Sequence, residues 1–271
     1  MTYTPKKIYT LIISTLLLSA SLPLTAFAYD VKADGIYYNL DTQEKTAEIT
    51  SGDNKYSGIV TVPQTITVSG MVYNVTGIGN EAFFDCLELT SVTIPNTVTS
   101  IGGYAFFNCD GLTSVAIPNS VASIGENAFS SCSGLTSIII PNSLTTIRNS
   151  TFEDCINLTS VSIPTSVISI GDNAFYNCYS LTSVAIPNSV TSIGGGAFWG
   201  CFNLTSVTIP SSVISIGKNA FRECTNLVSV IIPSSVTSIG SFAFDSCSSL
   251  TSVTIPNSVV NIEEYTFYGC I

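Results

Sequence analysis

The chain has 271 residues, with 18 acidic side chains against 8 basic ones and a formal net charge of −10. This charge repels nucleic-acid phosphates and anionic lipids, so neither is expected as a partner. The chain contains no histidine, which excludes imidazole from catalysis and from metal ligation. Because 45% of the residues are hydrophobic and only 10% are charged, the composition argues against disorder and against a compact enzyme, and favours a regular, buried, neutral architecture.

The first segment of the chain predicts export. Lys6 and Lys7 precede an apolar stretch at residues 8–20, and residues 26–28 are Ala-Phe-Ala, a pattern typical of a signal-peptidase cleavage site. Pro23 and several hydroxyl residues interrupt the apolar stretch, which makes a membrane anchor the weaker interpretation. Residues 1–28 are therefore predicted to be a signal peptide, and no later segment of the sequence is apolar enough to span a membrane. A secreted or cell-surface location is expected.

Residues 29–88 are predicted to form a β-rich capping segment. Residues 59–63 resemble a repeat strand and residues 75–86 match the second half of a repeat, so together they form a partial repeat with an insertion. Two alternating runs, 65–68 and 71–73, predict that the insertion is a β-hairpin. The first coil of a stacked structure needs a polar cap, which this segment can supply. A separate binding domain is the alternative, although about 60 residues is small for an independent core.

The cysteines show how the rest of the chain is organised. All nine are spaced 23 residues apart, at Cys86, Cys109, Cys132, Cys155, Cys178, Cys201, Cys224, Cys247 and Cys270. Aligned on this spacing, residues 89–271 form eight repeats, the last of them incomplete, which begin at Leu89, Leu112, Leu135, Leu158, Leu181, Leu204, Leu227 and Leu250. Positions within a repeat are numbered from this leucine. A fixed period of this length is typical of solenoids.

Repeat five illustrates the first half of the pattern. Val184 and Ile186 alternate with polar residues, which predicts a half-buried strand. Pro187 then ends the strand, because it lacks the N–H that the next ladder bond needs. A second short extended segment follows and is closed by Gly194.

The second half of the repeat is predicted to be a short helical or 3₁₀ turn. Ala197, Phe198 and Cys201 are spaced so that one such turn would bury all three, and it would direct positions 15, 16, 19 and 22 outward. One repeat cannot bury its own apolar face, so the repeats are expected to stack. The predicted fold is a mostly β repeat solenoid, with a parallel sheet on one face and the short turns opposite.

The repeated run Leu-x-x-Val-x-Ile-Pro-x-Ser-Val-x-x-Ile-Gly-x-x-Ala-Phe-x-x-Cys, from Leu89 onward, resembles the BspA-like class of leucine-rich repeat proteins. The resemblance implies a curved, right-handed solenoid of surface or secreted bacterial proteins that adhere to host proteins or other cells, and it implies no catalytic residues. The chain departs from the pattern at Arg148 and Glu263, which replace the glycine at position 14, and at Thr151 and Thr266, which replace the alanine at position 17.

Several features that could suggest chemistry have simpler explanations. An odd number of cysteines in identical orientations favours buried free thiols over disulfides. A metal site needs converging ligands instead of a line of them. The adjacent acids Glu153-Asp154 and Glu263-Glu264 face no predicted cleft, so a carbohydrate hydrolase is the least favoured function. No cofactor, metal or catalytic residue is therefore expected. The serine column at position 3 is interpreted as a neutral sheet surface in preference to an ice-binding face.

Outward positions 19 and 22 differ strongly between repeats, whereas the core positions barely change. In repeats four and five both positions are aromatic, and an arginine follows in repeat six. Exposed aromatic residues beside arginine are typical of protein-binding hot spots. The pattern predicts a ligand-binding ridge, whose candidate residues are Tyr176, Tyr179, Trp199, Phe202, Arg222, Phe107 and Tyr104. The alternative is that scattered surface aromatics have no function.

The favoured function is therefore that of a non-catalytic binding or adhesion protein, which recognises a host or neighbouring-cell protein or glycan. The alternative is a structural surface or matrix component that self-associates. The sequence ends within repeat eight, whose apolar edge is predicted to lack a neighbour. An exposed sheet edge favours pairing, so either a truncated product or self-association through this repeat is expected.

Overall fold

The structure, a computed structural model, describes residues 29–270. The predicted signal peptide, residues 1–28, and Ile271 lie outside the described residues. Within residues 29–270 the regular secondary structure consists of 21 β-strands and includes no helix. Six strands precede repeat one: β1 (Val31–Ala33), β2 (Ile36–Asp41), β3 (Thr46–Thr50), β4 (Gly58–Thr61), β5 (Thr65–Val68) and β6 (Met71–Ile78).

The repeats contribute two rows of strands. The first row lies around positions 3–5 and consists of β7 (Leu89–Thr93), β9 (Ser114–Ala116), β11 (Ser137–Ile139), β13 (Ser160–Ser162), β15 (Ser183–Ala185), β17 (Ser206–Thr208), β19 (Ser229–Ile231) and β21 (Ser252–Thr254). The second row lies at positions 12–13 and consists of β8 (Ser100–Ile101), β10 (Ser123–Ile124), β12 (Thr146–Ile147), β14 (Ser169–Ile170), β16 (Ser192–Ile193), β18 (Ser215–Ile216) and β20 (Ser238–Ile239).

Paired strands within each row are parallel and one repeat apart. Ser183 pairs with Ser206 in the first row, and Ser192 pairs with Ser215 in the second. Equivalent residues of neighbouring repeats therefore lie side by side in successive coils. This register confirms the predicted solenoid and its parallel sheet, and it adds a second row that the sequence had indicated only as a short extended segment.

Residues 29–88 cover the start of both rows. β1, β2 and β3 form an antiparallel meander, and β3 pairs in parallel with β6, which in turn pairs with β8 of the second row. β5 and β6 form a hairpin, and β4 pairs in parallel with β7 of the first row. The buried Tyr56 hydroxyl donates a hydrogen bond to the Thr50 carbonyl oxygen at 2.7 Å and accepts one from the Tyr37 N–H at 3.0 Å.

The core consists of columns of equivalent residues from successive coils. At position 18 the phenylalanine rings stack from Phe83 to Phe267, with centroids 4.8–5.6 Å apart and interplanar angles of 4–11°. At position 21 each thiol from Cys109 to Cys270 donates to the position-18 carbonyl oxygen of the preceding coil, as Cys178 Sγ does to Phe152 at 3.2 Å. All nine cysteines are free, and eight are buried. The thiol column therefore joins neighbouring coils as well as filling space.

The turn at positions 14–21 is not helical, so the predicted helical or 3₁₀ turns are wrong in this detail. Residues at positions 16 and 20 have positive φ in every repeat, for example Asn173 at 54° and Asn177 at 56°. Residues in this left-handed conformation interrupt any right-handed helix. Alternate N–H groups instead donate to the next coil, as Phe175 does to Ala197 at 2.8 Å, or close a local turn, as Tyr176 does to Asn173 at 3.0 Å.

Glycine at position 14 lets neighbouring coils approach closely. A Cβ at Gly217 would lie 2.5 Å from the carbonyl carbon of Gly194 in the preceding coil, a distance at which atoms overlap. Where this glycine is present, its N–H donates to the position-13 carbonyl oxygen of the preceding coil, as Gly171 does to Ile147 at 2.8 Å. The absence of a side chain at this position therefore sets the spacing of the second row.

Arg148 and Glu263 replace this glycine, and the second row is interrupted at both places. β10 does not pair with β12, and among residues 29–270 no hydrogen bond joins the Arg148 N–H to the Ile124 carbonyl oxygen. The row also ends at β20, before Glu263. In both repeats the position-17 threonine hydroxyl donates to the position-14 carbonyl oxygen at 2.7 Å, from Thr151 and Thr266. We call the discontinuity between repeats two and three the seam.

Candidate functional site

Five of the predicted ridge residues lie close together on the turns of repeats four to six. We call this group, Tyr176, Tyr179, Trp199, Phe202 and Arg222, the main cluster. Tyr176 and Trp199 meet edge to face, with centroids 5.2 Å apart and an interplanar angle of 90°. Tyr179 and Phe202 stack in parallel at 4.9 Å. Because each pair occupies equivalent positions in adjacent coils, the rigid coil spacing fixes the distance between the rings.

Arg222 lies between two aromatic rings. Its guanidinium carbon is 4.8 Å from the centre of the Trp199 ring and 5.4 Å from that of Phe242. Its Nε lies 2.9 Å from Oδ2 of Asp245, a contact that is an ion pair without hydrogen-bond geometry. The Asp245 side chain is 4% exposed, so position 19 points inward in repeat seven, contrary to the outward direction predicted for this column. The buried carboxylate and the two rings together hold the cation in place.

The aromatic surface continues into repeats seven and eight, beyond the ridge residues predicted from the sequence. Phe242 stacks on Tyr265 at 4.9 Å, and Tyr265 meets Tyr268 edge to face at 5.7 Å. The Lys218 ammonium group lies 6.0 Å from the Phe242 ring centre. A series of ring and cation contacts thus runs from Tyr176 to Tyr268, across five repeats. The aromatic residues at position 16 of repeats seven and eight were the sequence feature that could have predicted this extension.

Position 16 is an unfavourable place for an aromatic residue. Tyr104, Phe242 and Tyr265 have φ angles of 54°, 59° and 58°, a region that favours glycine and asparagine. The other five repeats carry Asn, Ser or Gly at this position. A strained backbone conformation costs about 1–3 kcal/mol and is concentrated at functional sites. These three aromatic residues therefore occur at a position whose backbone conformation disfavours aromatic side chains.

Tyr104 and Phe107 belong to a separate group, which we call the N-terminal cluster. Phe107 stacks on Phe84 at 5.1 Å and is tilted against Tyr104 at 5.7 Å. The Lys55 ammonium group lies 5.4 Å from the Phe84 ring centre. Repeats two and three carry no aromatic residue at position 19, so these two predicted residues are not brought together with the main cluster.

The buried thiols are held in their protonated form. Burial raises the pKa of Cys155 to about 12 and also raises the pKa of Cys178. The thiolate is the form that attacks substrates and binds metals, so burial opposes both roles. Among the described residues, no group of three or more Cys, Asp or Glu side chains could hold a metal ion. What the turns offer a ligand is a set of aromatic faces and one fixed cation.

The family model of the BspA type leucine rich repeat region matches the chain in six copies, at residues 76–203 and 145–271. These matches cover more than half of the chain. The chain belongs to the BspA-type leucine-rich repeat family. Members of this family are typically surface or secreted bacterial proteins and are generally non-catalytic. No helix within residues 29–270 of this BspA-type chain is long and apolar enough to cross a bilayer.

Solved structures of bacterial leucine-rich repeat proteins are similar to this BspA-type chain. A leucine rich cell surface protein from Faecalibacterium prausnitzii is 30% identical, with a TM-score of 0.59 over 91% of this chain and 81% of its own. A leucine-rich repeat protein from T. pallidum is 29% identical, with a TM-score of 0.54 over 81% and 90%. The pneumococcal vaccine antigen PcpA is 21% identical, with a TM-score of 0.64 over 88% and 73%, and shows the fold alone. A comparison with curated proteins found no match.

Proposed function

We propose that this protein is a non-catalytic, secreted or cell-surface binding protein whose main cluster contacts a protein or glycan of a host or of neighbouring cells. The observation that carries the proposal is the position of Arg222 between Trp199 and Phe242, fixed by the buried Asp245 carboxylate. Tryptophan, tyrosine and arginine are the residues most enriched at binding hot spots. A cation that is already immobilised loses little conformational freedom when a ligand binds.

The main cluster is also preorganised as a surface. Tyr179 is 36% exposed and stacks on Phe202, so the pair presents a flat apolar face with polar phenol at its edge. Such a face suits an apolar side chain or the CH face of a sugar ring. A surface location is supported by the family and by the F. prausnitzii relative, which is described as a cell surface protein.

The test is a solid-phase binding assay with the chain expressed from residue 29, against extracellular-matrix proteins and mucosal glycoproteins. We expect retention by at least one of them, and about 10-fold weaker binding by the Trp199→Ala/Tyr176→Ala variant with little change in melting temperature. The matched control is Ile139→Ala/Ile231→Ala, which removes exposed apolar side chains from the first row. Equal loss of binding in the control, or loss of the fold in the test variant, would contradict the proposal.

Self-association is the second candidate function. Val260 is 84% exposed, Ile262 is 54% exposed and Tyr268 is 65% exposed, all within repeat eight. Paired with the same surface of a second copy, these side chains would be removed from water. Sedimentation equilibrium should then show a dimer that Val260→Ser/Ile262→Ser dissociates and that Ile139→Ser leaves intact. A monomer at all concentrations tested would exclude this candidate.

A further inference from the structure

A groove of about 560 Å³ lies beside the second row at repeats one to three, away from the main cluster. Its floor includes Gly102 and Gly125 at position 14, together with the small side chains of Ser100 and Ser123. Glu48 of β3 lines the groove at the end nearest the capping segment, and Arg148 lines it at the seam. The groove exists because the floor residues lack bulky side chains while the residues at both ends have long ones.

Departures from the repeat pattern meet at this groove. Arg148 stands in place of a glycine, and Tyr104, which also lines the groove, has a φ of 54° although it is aromatic. At the seam the Ile124 carbonyl oxygen receives no ladder bond from the next coil, within residues 29–270. Natural sequences depart from local structural preferences mainly at functional sites. Replacement of the glycine costs the chain hydrogen bonds between coils, and in exchange it places a guanidinium at one end of the groove.

The charges around the groove favour a cationic ligand. Three carboxylates line it, from Glu48, Glu81 and Glu126, against the single guanidinium of Arg148. Arg148 forms no ion pair with any residue in the described range 29–270, so it does not neutralise these acids. The Glu48 carboxylate lies against the backbone of β6, where a Cβ at Gly77 would be 3.2 Å from its Oε1. Partial desolvation raises the pKa of Glu48. A cation bound beside the carboxylate would lower this pKa again, because it stabilises the charged form.

The length of the groove sets the size of the ligand. Three coil steps separate the coil of Gly79 from Arg148, which is roughly 14 Å at about 4.8 Å per step. An extended peptide rises about 3.4 Å per residue, so about four residues span this length. The lining is rich in acceptors, namely three carboxylates and the free Ile124 carbonyl oxygen, with Arg148 as a donor at one end.

We propose that this groove binds an extended peptide segment of about four residues that carries basic side chains. The ammonium or guanidinium groups of the peptide pair with Glu48, Glu81 and Glu126, and the Arg148 guanidinium donates to a peptide carbonyl oxygen. This site is separate from the main cluster, so the two proposals succeed or fail independently.

The probe is the peptide fluorescein-Gly-Ser-Arg-Ser-Arg-Ser-Gly-amide, labelled at its N-terminus, titrated with the chain from residue 29 and followed by fluorescence anisotropy. We expect saturable binding that Glu48→Gln and Glu126→Gln each weaken by about 10-fold, since each loses one charge-assisted contact. Glu44→Gln is the matched control, because it removes the same charge from a residue that does not line the groove. Trp199→Ala should bind the probe as the wild type does.

Two comparison probes complete the test. The same peptide with glutamine in place of arginine should bind at least about 10-fold more weakly, and neutral cellotriose should not bind. Failure of the arginine peptide to bind, equal weakening by Glu44→Gln, or preferential binding of cellotriose that depends on Glu48 would each overturn the proposal. Circular dichroism of each variant, unchanged from the wild type, ensures that a loss of binding is not a loss of fold.

Discussion

The Arg222 guanidinium carbon lies 4.8 Å from the centre of the Trp199 ring, and the nearly buried carboxylate of Asp245 in the next repeat fixes it there. The contact involves three successive repeats, so its geometry depends on the spacing of the coils. Trp199 is the single tryptophan of the chain. Its fluorescence therefore reports on the main cluster alone.

Asp245→Asn should release Arg222 from the Trp199 face. We expect the tryptophan emission to move to longer wavelength and to become easier to quench with acrylamide, because the ring gains contact with water. The free energy of unfolding should fall by about 1 kcal/mol, since the arginine is partly exposed and its ion pair is partly screened. Lys218→Ala, which removes a cation 6.0 Å from the Phe242 ring, is the control and should leave the emission unchanged. Identical spectra for Asp245→Asn and wild type would contradict the fixed geometry.

The thiols should resist labelling in the folded protein. Eight of the nine cysteines are buried, and Cys270 is partly exposed, so a maleimide reagent should modify about one thiol in the native state and all nine after denaturation. Cys270→Ser should abolish the native reaction. Burial raises the pKa of Cys155 to about 12, so raising the pH from 7 to 9 should not expose new reactive thiolates, whereas an unfolded cysteine with a pKa near 8.5 ionises over that range. Rapid native labelling of several thiols would contradict the buried ladder.

Gly217→Ala should be costly although the change is one methyl group. The added carbon would lie 2.5 Å from the backbone of the preceding coil, which must move. We expect a loss of about 1–3 kcal/mol in the free energy of unfolding, measured by urea titration. Gly195→Ala is the matched control, because its nearest contact is 3.3 Å, and it should cost less. Equal costs at the two positions would show that the approach of the coils does not depend on position 14.

The seam should exchange its amide hydrogens faster than the rest of the second row. Ile168 and Gly171 donate to the preceding coil at 2.8 Å, whereas no such bond from Thr145 or Arg148 is present in the described part of the chain. Hydrogen exchange followed by mass spectrometry should therefore find residues 145–148 less protected than residues 168–171. Equal protection of the two segments would show that the ladder crosses the seam.

The 23-residue period predicted the solenoid, because each column of the core repeats one residue type and the stacked coils leave no other register. It did not predict the form of the turn. Ala197, Phe198 and Cys201 have a spacing compatible with a helix, but the positive φ of Gly196 and Gly200 on either side excludes one. Asn, Ser and Gly at positions 16 and 20 were the available signal for left-handed residues.

The candidate site was predicted in part, since positions that vary between repeats showed where the surface lies. The contact between Arg222 and Asp245 could not be predicted from the sequence. Asp245 occupies position 19, as Trp199 does, and only the packing of the coils turns its side chain inward. The groove was also invisible in the sequence. It combines Glu48 of the capping segment with Arg148, which is 100 positions away in the sequence. The hairpin insertion interrupts the 23-residue period between them, so the period does not show that they lie in the same groove.

Covalent footprinting with hydroxyl radicals and mass spectrometry locates the ligand on the surface, when the free chain is compared with the chain bound to the matrix protein or glycoprotein that retains it. We expect that ligand binding protects Tyr176, Tyr179, Trp199 and Phe202, while Tyr104 and Phe107 are modified as before. Unchanged modification of the main cluster in the complex, with protection elsewhere, would contradict it.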